Sequence, residues 1–368
     1  MTTRAWAPCV LALTLLACSS AASGPGFAGS SGGSVVGGGS GASSSDNNGG
    51  SSTGGAGRAE SSGVPAAADG GPAYADAPAP IGSMYDAPPP DAPGQQVVTL
   101  TIDPFVVAPG AEVYKCQQFG NPFGKNVDLI YYEGTMSKGS HHFFLFNMDA
   151  TTLRTQAAPI GDCPGGGVEF HPFPYLSQQP KWNVGYPEPG MGYPMVSTNG
   201  LMMNVHYLNS GSTPITAQAS IKITVAAPGT VTTHVGSIFL NNTFFSVPAN
   251  TPMSSPVAES KSNAPLSTDY SIFTSWSHMH QTSLKFTASA NGSVFYTETN
   301  WDTPQVVPHA PYLQMKGGTS ITWNCDYYNN TSTALNFGDS AIKAVMCIYI
   351  GQYFPANQNN PDIISIVN

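Results

Sequence analysis

From Val97 onward the chain is written in short apolar runs broken by Gly, Pro and Asn, and this punctuation constrains the fold more than any other feature. The runs are Val97–Val107, Ala111–Phe119, Val127–Tyr132, Ser140–Phe146, Leu201–Leu208, Ala219–Val225, Thr233–Leu240, Tyr270–His280, Ser320–Tyr328 and Ala344–Phe354. Most alternate apolar with polar, the period of a half-buried strand, and helical periodicity is scarce. Leu284–Ser289 and Ser293–Thr299 flank Ala290-Asn291-Gly292, a hairpin signal. The pattern predicts an all-β protein of two antiparallel β-sandwich, jelly-roll-like domains in tandem. The break between them is expected near Ala226–Thr230, giving domains over 95–228 and 229–368. Pro159–Pro194, rich in Gly, Pro and Tyr, reads as a long irregular excursion, and no internal repeat is found.

What precedes the strands does not read as a folded domain. Residues 1–18 have the form of an export signal: Arg4 in the n-region, a short apolar core from Val10 to Leu16, and Leu15-Leu16-Ala17-Cys18 at the processing site. That site is similar to a bacterial lipobox, so Cys18 is the expected lipidation point. The protein is then expected to be exported and anchored by lipid to the bacterial outer membrane or cell surface. Residues 19–94 are Gly, Ser, Ala and Pro with almost no large apolar side chains. Such a segment cannot bury enough surface to offset its ordering entropy, so it is expected to be a disordered stalk. No later stretch offers about 20 consecutive apolar residues for a membrane helix.

Charged residues make up 9% of the chain and the formal net charge is −9, with no basic run. Binding to a nucleic-acid backbone is therefore not expected. Beyond Cys9 and Cys18 the chain has Cys116, Cys163, Cys325 and Cys347. An even number in an exported domain reads as two disulfides, with three pairings open. None forms a Cys-x-x-Cys, which argues against a thiolate zinc site.

The chemistry is concentrated in the histidines. Only eight occur, and five fall in three strand-like settings: His141-His142, His206, and His278-x-His280. On a strand, residues i and i+2 share a face, so His278 and His280 project together at a separation that one metal ion can bridge. His141 and His142 are adjacent and face opposite ways on a regular strand. A bulge or twist is needed to bring both to one metal. His206, in Met203-Asn204-Val205-His206-Tyr207, is the kind of lone strand histidine that more often serves a core. Met346 lies on the apolar run Val345-Met346-Cys347-Ile348-Tyr349, where methionine is usually filler; beside His278 and His280 its thioether completes an N,N,S set suited to copper. His171, His234 and His309 match no motif, although His171 is a candidate surface or accessory copper residue.

These motifs, in this order over about Gln95–Phe354, resemble the copper type II, ascorbate-dependent monooxygenase family. The resemblance implies two copper ions, His141, His142 and His206 holding the first and His278, His280 and Met346 holding the second, where O2 and substrate meet. It also implies disulfides Cys116–Cys163 and Cys325–Cys347, and two sandwiches with solvent between their coppers. The implied activity is hydroxylation of a C–H bond of a small or peptide-like substrate, with ascorbate as reductant. The alternative is a non-catalytic copper storage or delivery lipoprotein. The sequence departs from the family at Trp276, where an arginine holds the peptide carboxylate, and also at Asn204, Ile348 and Tyr349. Trp276 suggests a more apolar or aromatic substrate.

Overall fold

A computed structural model describes residues 85, 87–149, 159–163 and 171–367. The export signal with Cys18, and all but the end of the expected stalk, lie outside the described residues. Within them there is no helix, and none is long and apolar enough to cross a membrane. The chain is all-β, as the alternating runs predict.

Strands up to Val225, joined by Thr233–His234, build the first pair of main sheets. One runs Gln96–Thr101, Ala219–Val225, Val127–Met136, Met191–Met195, Thr233–His234, with Lys181–Val184 also on Val127–Met136. The other runs Gly161–Asp162, Glu112–Gly120, Asn199–Leu208, Ser140–Asp149, Tyr175–Ser177. Strands from Gly236 onward build the second pair. Its five-stranded sheet runs Val307–Met315, Tyr270–Met279, Cys347–Phe354, Gly236–Asn242, Ile363–Val367, and its four-stranded sheet runs Val257–Ser262, Ile321–Tyr327, Ser283–Ala290, Ser293–Glu298. Pairing is antiparallel except where Thr233–His234 joins Met191–Met195 and Ile363–Val367 joins Gly236–Asn242, both in parallel. The expected hairpin forms, with Asn291 and Gly292 both at positive φ. Pro159–Pro194 differs from expectation, because it supplies strands Tyr175–Ser177, Lys181–Val184 and Met191–Met195. Their tyrosines and Trp182 are buried, and this burial sustains short strands that the Gly and Pro content conceals.

Two strands set the geometry of the candidate ligands. Ser140–Asp149 is buried at every position but its last, and Tyr270–Met279 is buried throughout. A strand buried on both faces has its own sandwich on one side and a second layer on the other. The second layer is the other half of the molecule. Phe144 and Phe173 pack on Phe239 at centroid separations of 6.2 and 5.7 Å, and Trp182 meets Trp276 edge-on at 5.7 Å. Asp362 fastens the same boundary: its carboxylate accepts from the Phe173 and Ser237 backbone N–H groups and from the Tyr193 hydroxyl.

Disulfides close Cys116–Cys163 and Cys325–Cys347. The second ties Ile321–Tyr327 to Cys347–Phe354, and the same contact is reinforced by Trp323 Nε1–H donating to the Cys347 carbonyl and the Tyr327 hydroxyl to the Met346 carbonyl. Its sequence separation of 22 corresponds to about 3 kcal/mol by the chain-entropy relation. Denaturant unfolding of the double Cys325→Ser, Cys347→Ser variant is expected to show a loss of about that size. An unchanged midpoint would mean that the two hydrogen bonds and the packing already hold these strands without the bridge.

Candidate metal centre

His141 and His142 both reach the same place, and the cause is local. Ser140–Asp149 pairs with Asn199–Leu208 in register from Asp149 to His142, which faces His206; the next residue, Tyr207, then faces Ser140. His141 is the extra residue of a β-bulge, so it is re-aimed instead of pointing away from His142. On the other half, His278 pairs with Ile348 and Met279 with Cys347 at the end of the ladder. His280 and Met346 are the next residues on the two chains.

The five histidines form one cluster. Ring centroids are 5.4 Å apart for His141–His142, 5.1 Å for His141–His206 and 4.9 Å for His142–His206. Across the boundary His278 is 5.4 Å from both His141 and His142, and His280 lies 5.3 Å from His278 and 6.4 Å from His141. One ligand nitrogen from each of His141, His278 and His280 falls within 4.8 Å of the other two, all three residues being buried. The resemblance implied two ligand sets separated by solvent. Here they meet, because the doubly buried strands that carry them are packed against each other. Met346 is 4% exposed and adjoins Cys347, the partner of Met279 at the end of the ladder.

Burial determines the protonation state. His142, His206 and His278 are held well below the usual histidine range, first by loss of hydration and then by repulsion from the neighbouring imidazoles. His280 is pushed down to about 3 by the same two causes. Neutral imidazoles are metal-competent, each with one N–H and one lone pair. Two of the N–H groups have identifiable acceptors. His206 Nε2 lies 3.0 Å from Glu112 Oε1, and His280 Nδ1 lies 3.2 Å from the Ala344 carbonyl. Their other nitrogens, His206 Nδ1 and His280 Nε2, are buried without a partner, as are His141 Nε2 and His142 Nδ1. Buried polar atoms are rarely left so, and four such nitrogens in one cluster form a donor set suited to a cation. Trp301 and Asp302 cover His141, Asp302 Oδ1 being 3.7 Å from its Nδ1.

The remaining histidines lie outside the cluster. His171 packs on Phe146, His234 pairs with Asp128 at 3.2 Å, and His309 Nε2 is 2.8 Å from the buried Ser275 hydroxyl. Trp276, expected to face a substrate, is 3% exposed and packed on Trp182, so its role is to fill the boundary between the halves. A cavity of about 480 Å³ is lined by Tyr85, Pro88, Tyr131, Tyr186, Glu188 and Val231, none of them in the cluster. Sequence reasoning missed Glu112 and the Ala344 carbonyl, which orient two of the rings.

No protein-family model and no curated protein matches the chain. Among solved structures, peptide-N-glycanase F, a glycosylasparaginase from Flavobacterium meningosepticum, is similar at a TM-score of 0.33 and 10% identity, over 73% of this chain and 98% of that one. A peptide-N(4)-(N-acetyl-beta-D-glucosaminyl) asparagine amidase is similar at 0.32 and 10%, over 74% and 98%. Likenesses this distant carry no argument about activity. The expected family is corrected by the family comparison. No family model matches, that of the copper type II monooxygenases included, and neither solved structure named above is one of that family. The ascorbate-dependent hydroxylation, its classification as a monooxygenase or oxidoreductase, and the alternative of a copper storage or delivery protein are withdrawn with that resemblance.

Proposed function

We propose that this chain is a metalloprotein whose centre is shared by its two halves and takes a first-row transition-metal ion. His141 comes from one half and His278 and His280 from the other, with His142 and His206 adjoining. The observation that carries this reading is the convergence of three buried imidazole nitrogens within 4.8 Å. The unpartnered nitrogens of His141 and His280 agree with it. All-imidazole donors suit zinc, copper, nickel or iron, and exclude calcium and magnesium, which take oxygen ligands. A metal held by these three would have further positions for the adjoining His142 and His206 or for a water or substrate oxygen, to which it would supply Lewis-acid chemistry. The chain's part is to hold His142, His206, His278 and His280 neutral, fix which nitrogen is free on His206 and His280, and keep bulk water from the cluster.

Elemental analysis of the purified full chain, followed by stripping and titration with Zn2+, Cu2+, Ni2+ and Co2+, tests the reading. Tight stoichiometric uptake of at least one of these ions is expected. Failure of all four to bind above background would refute it.

A further inference from the structure

We infer that Glu112 is the positioning residue of this centre: its carboxylate fixes the tautomer of His206 and clasps Ser340 and Ala341 of the other half beside the cluster. The inference rests on the metal-centre reading for its consequence, though not for its geometry. Glu112 and Tyr114 lie two residues apart on Glu112–Gly120, hence on one face of that strand. The ladder pairs Tyr114 with His206 and Glu112 with Leu208, which sets the carboxylate diagonally across from the imidazole. The Tyr114 ring stacks on His206 at a centroid separation of 3.9 Å and an interplanar angle of 16°, fixing the ring plane.

Within that plane the imidazole could still carry its proton on either nitrogen. Glu112 removes the choice. Oε1 accepts from His206 Nε2, so the proton sits there and the lone pair is left on Nδ1, which is buried and has no other partner. A carboxylate behind a ligating imidazole is the usual device for orienting the ring and raising its basicity. The same carboxylate also accepts from the Ala341 N–H at 2.8 Å and the Ser340 hydroxyl at 2.7 Å, while the Tyr114 hydroxyl donates to the Asp339 carbonyl at 2.7 Å. The Ala341 carbonyl in turn accepts from the Gln281 N–H, next to His280. One side chain thus touches the ring of one half and the segment that leads to the ligand strand end of the other.

The experiment compares Glu112→Ala, Glu112→Gln and Ser340→Ala by two readouts: nitrogen NMR of the histidine side chains in metal-free protein, and affinity for Zn2+. The parent is expected to show His206 protonated at Nε2. The glutamine variant keeps an acceptor oxygen, so it should retain that tautomer and bind Zn2+ within a few-fold of the parent. The alanine variant should lose the single tautomer and bind about 10- to 100-fold more weakly. Ser340→Ala, which removes the clasp to Oε2 and the bond that Ser340 accepts from the Lys343 N–H but leaves Oε1 untouched, should leave the tautomer intact. Unchanged tautomer and affinity in Glu112→Ala would overturn the inference. So would a glutamine variant as impaired as alanine, since that would place the effect in charge alone. A parent that binds no Zn2+ would count against zinc at the proposed centre, while the metal-free spectra would still decide what Glu112 does.

Discussion

Alanine at His280 is expected to reduce transition-metal affinity by about 100-fold or more, and alanine at His309 to leave it unchanged. The magnitude follows from sharing the roughly 10–16 kcal/mol of a tight histidine- and cysteine-held zinc over three or four ligands, which assigns about 3 kcal/mol to each. His280 is the ligand whose loss should be felt most directly. It is fully buried, its Nδ1–H is committed to the Ala344 carbonyl, and its Nε2 has no protein partner. Removing the ring deletes a donor that is already neutral and already oriented. His309 provides the contrast: it is a histidine of the same half whose Nε2 bonds to Ser275, outside the cluster. Isothermal titration with Zn2+ or Cu2+ on both variants, with circular dichroism to confirm folding, decides it. Equal loss in the two would show that metal is bound by scattered surface imidazoles. No loss in His280→Ala would remove the three-histidine grouping.

The fold was legible because each strand is short and its period is local. Tyr270–His280 reads as a strand from its aromatic and β-branched residues, and it is one to Met279. What the period could not convey was that this strand and Ser140–Asp149 are covered on both faces, by each other's halves. That fact brings the histidines together, and it depends on contacts such as Phe144–Phe239 between residues nearly a hundred positions apart. Two adjacent strand histidines can serve one metal only through a bulge, and the bulge lies at the His141-His142 pair. The signal for Glu112 was absent: a glutamate at the start of a strand is ordinary, and its partner His206 is separated from it by 94 positions. The ordered recurrence of His, His-x-His and Met-Cys motifs suggested a family, but order along a chain does not specify separation in space.

Asp362 yields the sharpest dependence on pH. It is buried where the halves join, and two effects oppose each other there. Three donors, the Phe173 and Ser237 N–H groups and the Tyr193 hydroxyl, favour the charged carboxylate; loss of hydration disfavours it. Burial is the larger, and it raises the carboxyl from 3.8 to about 7. With the folded value above the unfolded one, the folded protein binds the extra proton between about pH 4 and pH 7, so this group's contribution is present below that window and is lost as pH rises through it. A rise of that size is worth about 4 kcal/mol, at about 1.4 kcal/mol for each tenfold change. The buried histidines titrate in the opposite sense, so the parent's own pH curve mixes the two. The difference between parent and Asp362→Asn cancels them, because the histidines are common to both proteins. Asparagine adds a penalty of its own where it faces the Phe173 N–H, but that penalty does not vary with pH. Chemical denaturation of both proteins from pH 4 to pH 8 is expected to show the parent's relative stability falling by about 4 kcal/mol across the range. A flat difference would mean that the carboxyl titrates alike in the folded and unfolded chains. A difference that grows with pH would mean that the three hydrogen bonds outweigh burial and hold Asp362 charged as a permanent fastening between the halves.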